Sequence, residues 1–294
     1  MAKVSANGIT LEFDTFGDES GRPLLLVMGL GAQMTRWRVP FCEMLADQGH
    51  YVIRFDNRDI GLSHKLENAG VPDMMQIFAQ AQAGEPVSAA YTLDDMADDA
   101  VGLLDALGLE AAHICGASMG GMIVQAMAVR HAPRIKSMVS IMSSTGNPAL
   151  PSSTPEASAA LTSPSGTTVE EVMDRSVYVA GVIGSPAYPV PAEEIRQRAK
   201  EDFERSFYPV GVARQMAAIA ASGNRRPALA GVTTPTLVIH GKDDPLVPLA
   251  GGIDTHEAIA GSMLKVIEGM GHDLPEPLWE EIVGSISEHT RRHH

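Results

Sequence analysis

The serine of Gly116-Ala117-Ser118-Met119-Gly120 has neighbours that suit a nucleophile. The pentapeptide matches G-x-S-x-G, in which the serine sits on a sharp turn between a strand and a helix and its hydroxyl projects from the sheet. Glycines flank the serine because side chains at those positions would collide across the turn. The apolar run AAHIC precedes the pentapeptide and the apolar run MIVQAMAV follows it, as such a turn requires. Ser118 is therefore predicted to be a nucleophile at the start of a helix, where the helix dipole favours negative charge.

A serine hydroxyl is a poor nucleophile near neutral pH and needs a base. Ten histidines are candidates. His113 and His240 fall in predicted strands, and His131 ends a predicted helix. His272 lies instead in GMGHDLP, a glycine-rich loop between the last predicted strand and the last helix. Loops at the carboxyl ends of parallel strands supply catalytic groups in such sheets, so His272 is predicted to be the base.

The base needs a carboxylate that fixes its tautomer and stabilises the imidazolium. Such an acid is expected between the serine and the histidine in chain order. The segment IHGKDDPLVP places two aspartates after an apolar run, and Asp244 is favoured, with Asp243 as the alternative. The segment after the preceding strand, Ser143-Ser144-Thr145, carries no carboxylate.

An oxyanion hole requires two backbone N–H groups that face the developing negative charge. The first is expected from Met119, the residue after the nucleophile. The second is expected from the loop VMGLGAQ, in which Gly29 and Gly31 let the backbone approach closely, and it is assigned to Leu30. The neighbouring segment Asp56-Asn57-Arg58-Asp59 is predicted to be structural, with Arg58 in an ion pair.

The composition limits the partners of this chain. Its 294 residues carry a formal net charge of −14, which repels nucleic acid and anionic lipid, so neither is an expected partner. A small-molecule substrate and a monomer or homodimer are expected. The two cysteines predict reduced thiols in the cytoplasm. Neither zinc-ligand spacing nor a dinucleotide-binding glycine pattern occurs, so no metal and no cofactor are predicted.

Short apolar runs alternate with helical patterns, which predicts an α/β fold with a doubly wound sheet. The predicted strands are residues 9–16, 23–29, 50–56, 111–115, 135–142, 235–241 and 263–268. Residues 144–165 are rich in Pro, Ser and Thr and predict a linker with little packing of its own. Residues 166–229 predict several helices and no strand.

The segments VMGLGAQMTRW, VIRFDNRDIGLS, GASMGG, IHGKDDPLVP and GMGHDLP, in this order, resemble the α/β-hydrolase superfamily. Within it, the chain is similar to small bacterial esterases of the aclacinomycin methylesterase type. The resemblance implies a mostly parallel eight-stranded sheet with helices on both faces. It also implies a core of residues 1–144 and 230–294 and a helical cap at 145–229.

The resemblance assigns Ser118, Asp244 and His272 to a catalytic triad and Leu30 and Met119 to the oxyanion hole. The chain differs from many relatives in having Met28-Gly29 where they have His-Gly. The expected activity is hydrolysis of a small to medium, largely apolar carboxylic ester through an acyl-enzyme. The alternatives are a cofactor-free carbon–carbon bond hydrolase, a perhydrolase with the same triad, and a ligand receptor of the same fold without turnover.

Overall fold

Eight strands form a single sheet in the computed structural model, which describes residues 1–294. In chain order the strands are β1 (Ala2–Ala6), β2 (Ile9–Phe16), β3 (Arg22–Val27), β4 (His50–Phe55), β5 (Ala112–Ala117), β6 (Ile135–Ile141), β7 (Thr236–Gly241) and β8 (Met263–Ile267). Their spatial order is β1-β2-β4-β3-β5-β6-β7-β8. β2 pairs antiparallel with both β1 and β4, and all other neighbours are parallel. The prediction of a mostly parallel, eight-stranded α/β sheet is confirmed.

The strand order reverses at β3. From β3 the chain passes to β4 on one side, and the next strand, β5, pairs with the other side of β3. In open α/β sheets, ligands bind in the crevice beyond the carboxyl ends of the strands at such a reversal. The loop after β3 and the turn after β5, which carry the predicted oxyanion loop and nucleophile, therefore lie side by side at this point.

Eleven α-helices accompany the sheet. They are α1 (Val39–Asp47), α2 (Met74–Ala83), α3 (Leu93–Ala106), α4 (Met119–Arg130), α5 (Pro155–Thr162), α6 (Val169–Ile183), α7 (Ala192–Arg205), α8 (Pro209–Ser222), α9 (Arg226–Leu229), α10 (Ala250–Ala258) and α11 (Trp279–Arg292). α3 and α4 bury their apolar residues against one face of the sheet, and α1 and α11 against the other. Both faces of the central strands are thus covered, which explains their continuous apolar runs.

The local sequence sets the ends of α3. The Thr92 hydroxyl accepts a hydrogen bond from the Asp95 N–H, and the Asp95 carboxylate accepts one from the Thr92 N–H, which together make a capping box. The helix ends before Gly108, whose φ of 69° is a left-handed conformation that glycine adopts without strain. Thr92 therefore caps the amino-terminal end of α3.

Two elements differ from the sequence prediction. β1 was not expected, because the run Ala2–Ala6 is short and mostly exposed, and its partner β2 provides its pairing. The expected linker at 144–165 contains α5, which Thr154 caps and which buries Ala157 and Ala160. Pro155 is compatible with this helix because the first turn needs no N–H from it. The prediction that this stretch lacks packing of its own is therefore wrong for 155–162.

The two cysteines are unpaired and buried in the core beneath one face of the sheet. Burial raises the pKa of the Cys42 thiol to about 12 and also raises the pKa of Cys115. Because the thiolate is the reactive form, neither residue is a candidate nucleophile.

Candidate active site

Ser118 lies on a strained turn between β5 and α4. Its φ of 55° and ψ of −120° are rare for a residue with a side chain. A Cβ atom at Gly116 would lie 2.1 Å from the Gly120 carbonyl oxygen, and one at Gly120 would lie 2.0 Å from the Val27 carbonyl oxygen. Both flanking glycines are therefore required by close backbone contacts, as the sequence predicts.

His272 and Asp244 approach Ser118 from the loops that follow β8 and β7. The His272 Nε2 atom lies 2.9 Å from Ser118 Oγ, and its Nδ1 atom lies 2.7 Å from Asp244 Oδ2. Because a carboxylate accepts hydrogen bonds, Nδ1 carries the hydrogen and Nε2 is left to accept from the serine hydroxyl. The structure thus brings the three sequence-predicted residues into one hydrogen-bonded chain.

The two neighbouring aspartates after β7 have different surroundings. The Asp244 side chain is buried, and its Oδ1 atom accepts hydrogen bonds from the N–H groups of Leu246 and Val247 at 2.9 and 2.8 Å. Asp243 is exposed, and its Oδ2 atom accepts from the Gly269 N–H at 2.8 Å. Asp244 therefore contacts the imidazole, and Asp243 joins the two loops without touching it.

His240 is a second imidazole close to Asp244. Its Nε2 atom donates to the Val247 carbonyl oxygen at 2.8 Å and lies 3.7 Å from Asp244 Oδ2. Burial lowers the pKa of His240, so the ring is neutral. Its contact with the Val247 carbonyl supports the turn that presents two N–H groups to Asp244.

The loop after β3 lies directly beside the serine. A Cβ atom at Gly29 would lie 3.0 Å from Ser118 Cβ and 3.5 Å from Ser118 Oγ. The Leu30 N–H donates no hydrogen bond within the protein. Met119 is the first residue of α4, so its N–H has no partner within the helix. Two backbone N–H donors, those of Leu30 and Met119, are therefore available beside Ser118.

Gln215, on α8, holds the loop after β3, which is the predicted oxyanion loop. No pattern in the sequence predicts this contact. This fully buried side chain accepts from the Gly31 N–H at 2.9 Å and donates to the Arg58 carbonyl oxygen at 2.9 Å. The Asn57 side chain donates to the Met28 carbonyl oxygen at 2.9 Å. The backbone on both sides of Leu30 is thus fixed by amide side chains from distant segments.

The segment after β4 links several parts of the molecule through ion pairs. Arg58 is in an ion pair, as the sequence predicts, and its partner is Asp99. Asp59 accepts two hydrogen bonds from Arg214, from Nε at 2.7 Å and from Nη2 at 2.8 Å. Although burial raises the pKa of Asp59, hydrogen bonds from Arg214 and from the Leu66 N–H bring it below its ordinary value. The carboxylate is therefore ionised and neutralises an arginine that enters from α8.

The family model for the alpha/beta hydrolase fold matches residues 22–276. The chain is 29% identical to rhodomycin D methylesterase of Streptomyces sp. (strain C5), over 98% of this chain and 97% of that enzyme. It is 26% identical to 2-hydroxymuconate semialdehyde hydrolase of Pseudomonas sp. (strain CF600), over 92% of this chain and 86% of that protein.

Among solved structures, a meta-cleavage product hydrolase from Pseudomonas fluorescens IP01 superimposes with a TM-score of 0.78 at 21% identity, over 100% of this chain and 98% of that one. That likeness shows the fold alone.

None of the helices combines the length and apolar character that a membrane crossing requires. The matched family model covers most of the sequence, from β3 to the loop after His272, and the chain therefore belongs to the α/β-hydrolase family.

Proposed function

We propose that the chain is a serine carboxylic-ester hydrolase that works through an acyl-enzyme. The observation that carries this proposal is the continuous hydrogen-bonded chain from Ser118 Oγ through His272 to Asp244. At the level of enzyme class, the prediction of a hydrolase acting on ester bonds is confirmed by the family and by the methylesterase relative.

In the first step, Ser118 Oγ attacks the ester carbonyl carbon, and His272 Nε2 takes the hydroxyl proton. Asp244 holds the Nδ1–H tautomer and stabilises the imidazolium that forms. The carbonyl oxygen becomes an oxyanion that accepts hydrogen bonds from the N–H groups of Leu30 and Met119. The buried position of Asp244 strengthens its interaction with the imidazolium because little water screens it.

In the second half of the reaction, the proton on His272 passes to the alcohol oxygen as the bond to the acyl carbon breaks. Water then attacks the acyl carbon of the Ser118 ester and gives its proton to His272. That proton returns to Ser118 Oγ as the acid leaves, so the enzyme is restored and one water is consumed. The reaction needs no cofactor.

We propose that residues 145–229 form a cap over this site. Helices α5 to α9 lie between β6 and β7, and α6 has no fully buried residue. Two arginines of this insertion reach buried core carboxylates, Arg205 at Asp56 and Arg214 at Asp59. These cations are neutralised by the protein itself, which supports a small to medium, largely apolar, uncharged ester as substrate.

The second candidate is hydrolysis of a carbon–carbon bond. The similarity to 2-hydroxymuconate semialdehyde hydrolase supports it, because the triad geometry is common to both chemistries. A panel that compares neutral p-nitrophenyl esters with vinylogous diketone acids separates the two. The esterase proposal expects turnover of the neutral esters and little turnover of the acids, since Arg205 and Arg214 already have carboxylate partners. Cytoplasmic location and the monomeric or homodimeric state stay predictions.

The test of the proposed function is turnover of a short p-nitrophenyl ester by Ser118→Ala. We expect kcat to fall at least about 10,000-fold, as loss of a triad nucleophile does elsewhere. Ser285→Ala is the matched control, because that hydroxyl is exposed on α11 and bonds only the Glu281 carbonyl oxygen. Unchanged turnover by Ser118→Ala would remove the serine from the mechanism.

A further inference from the structure

The last residue of α6 and the segment that follows it contact the main chain at and beside His272. The His272 N–H donates to the Ile183 carbonyl oxygen at 2.7 Å, and the Gly271 N–H donates to Ser185 Oγ at 2.9 Å. The Ser185 hydroxyl in turn donates to Asp273 Oδ1, which also accepts from the Ser185 N–H at 3.1 Å. The residues before and after the proposed base are thus joined to one serine of the cap.

The contact is tight as well as hydrogen-bonded. A Cβ atom at Gly271 would lie 2.4 Å from the Gly184 carbonyl oxygen, so only glycine allows the cap to approach this closely. Ser185 is 3% exposed, and burial raises the pKa of the neighbouring Asp273 carboxyl. A buried hydroxyl that bonds both a backbone donor and a carboxyl is costly to replace. Its loss leaves the Gly271 N–H without a partner and removes one of the two hydrogen bonds that Asp273 accepts from Ser185.

The loop that carries His272 therefore has two different supports. Its first residues bond mainly to the core, through the Asp243 N–H to the Met270 carbonyl oxygen and the Gly269 N–H to Asp243 Oδ2. The Gly269 carbonyl oxygen also accepts from the Ala187 N–H of the cap at 3.3 Å. The stretch from Gly271 to Asp273 bonds to the cap instead. The imidazole is consequently placed by its side-chain partners and by the seating of the cap.

We propose that Ser185 is a positioning residue for His272, which couples the position of the cap to the geometry of the triad. This proposal rests on the proposed function, since it assigns His272 as the base. Displacement of a catalytic group by about 1 Å can lower the rate about 100-fold. When Ile183 and Ser185 move away with the cap, the loop loses its bonds at Gly271, His272 and Asp273, and Nε2 is no longer held at Ser118 Oγ.

The test compares Ser185→Ala with Ser176→Ala in the full chain, using a p-nitrophenyl ester. Ser176 is the matched control, because its hydroxyl lies on α6 and bonds only the Val172 carbonyl oxygen of the same helix. We expect Ser185→Ala to lower kcat roughly 10- to 100-fold with KM changed less than about threefold, because the base is displaced and the pocket is kept. Ser176→Ala is expected to match the wild type.

A double-mutant cycle with His272→Ala separates positioning from a purely structural role. If Ser185 acts through the imidazole, Ser185→Ala causes no further loss of residual turnover in the His272→Ala background. An equal loss in both backgrounds, or an unchanged kcat in Ser185→Ala alone, overturns the inference. Failure of His272→Ala to reduce turnover would instead contradict the proposed function, so the two failures are distinguishable.

Asp273 tests the same contact from the loop side if Ser185→Ala does not fold. Asp273→Asn keeps an oxygen that can accept from both the hydroxyl and the N–H of Ser185, and we expect it to retain kcat within about threefold. Asp273→Ala removes that acceptor, and we expect it to lose as much kcat as the serine variant does. Equal activity of the two Asp273 variants contradicts the proposal.

Discussion

Buried histidine side chains lie at both ends of the strands: at the amino-terminal edge of the sheet, where the parallel strands begin, and at the carboxyl-terminal edge, where they end. Their hydrogen-bond partners differ. At the amino-terminal edge, His113 Nδ1 bonds Ser137 Oγ, and His50 bonds Thr290 Oγ1 and the Leu45 carbonyl oxygen. These rings have hydroxyl or carbonyl partners and no carboxylate. At the carboxyl-terminal edge, His272 has both a serine hydroxyl and a carboxylate. A hydroxyl alone makes a packed histidine, and the added carboxylate makes a candidate base.

His131 shows the converse case. It pairs with Asp98 at 2.6 Å on the surface and has no hydroxyl partner. Among the ten histidines, His272 alone hydrogen-bonds both a carboxylate and a serine hydroxyl. The combination of a carboxylate and a serine hydroxyl on one imidazole, rather than burial or a single contact, therefore distinguishes the site.

Among the variants that change the partners of His272 or the loop beside it, Asp244→Asn is expected to lower kcat the most. Loss of the carboxylate leaves the ring in the wrong tautomer, and we expect kcat for a p-nitrophenyl ester to fall about 1,000- to 10,000-fold. Asp243→Asn is the matched control, because this carboxylate binds Gly269 and not the ring, and we expect at most about a tenfold loss. A larger loss in Asp243→Asn than in Asp244→Asn would reverse the assignment of the acid.

A smaller effect is expected from crowding the oxyanion loop. Gly29→Ala would place a methyl group 3.0 Å from Ser118 Cβ, so the loop or the serine must shift. We expect kcat to fall roughly 100-fold, comparable to the loss of one oxyanion donor. Gly181→Ala on α6 is the control, because a Cβ atom there meets nothing within 4 Å. Full activity of Gly29→Ala would show that the loop tolerates displacement and does not hold a donor at the serine.

Gln215→Leu is expected to act more weakly on the same loop. It removes the acceptor for the Gly31 N–H and the donor to the Arg58 carbonyl oxygen. The N–H group of Leu30 itself is unchanged. We expect kcat to fall about tenfold through loosened geometry. Gln197→Leu is the control, since that side chain bonds only Glu201 on the exposed face of α7. Equal activities of the two variants would argue that α8 does not support the oxyanion loop.

The buried histidines at the amino-terminal edge are expected to affect stability and not catalysis. They include His289 of α11, which contacts the Pro235 carbonyl oxygen directly before β7. Burial lowers the pKa of His113 to about 3 and those of His50 and His289 to about 4. The unfolded chain then binds more protons as the pH falls below about 6.5, so the free energy of unfolding falls until the folded-state pKa values are reached. At about 1.4 kcal/mol per pKa unit, the loss is on the order of 3 kcal/mol each for His50 and His289 and on the order of 5 kcal/mol for His113.

Urea unfolding between pH 7.5 and pH 4 measures this dependence. His113→Gln removes one titrating group, and we expect a weaker fall of the unfolding free energy with acid and an unchanged kcat at pH 8. An unchanged slope in His113→Gln would contradict the account of this edge.

Local patterns in the sequence predict the doubly wound α/β sheet, seven of its eight strands and the order of the site segments. The turn around Ser118 needs two glycines within five residues, and the loops of Asp244 and His272 each follow an apolar strand. The prediction was wrong for 155–162, because one threonine cap and two buried alanines form a helix in a composition typical of loops.

The supporting contacts could not be predicted because they join residues far apart in the chain. Gln215 lies 184 positions from Gly31, and Ser185 lies 86 from Gly271. Glutamine and serine are common on helices and in loops, so neither residue type indicates a role without the tertiary contact. The sequence therefore predicts which groups react, and the packing of α6 and α8 decides how they are held.

The proposed function requires that Ser118 carries the acyl group during turnover. Rapid quenching of the enzyme with p-nitrophenyl acetate, followed by peptide mass spectrometry, tests this requirement directly. We expect an added acetyl group on the peptide that contains Ser118, and neither this adduct nor turnover in Ser118→Ala. Hydrolysis that continues with the acetyl group on another residue, or with no adduct in the wild type and full activity in Ser118→Ala, would contradict it.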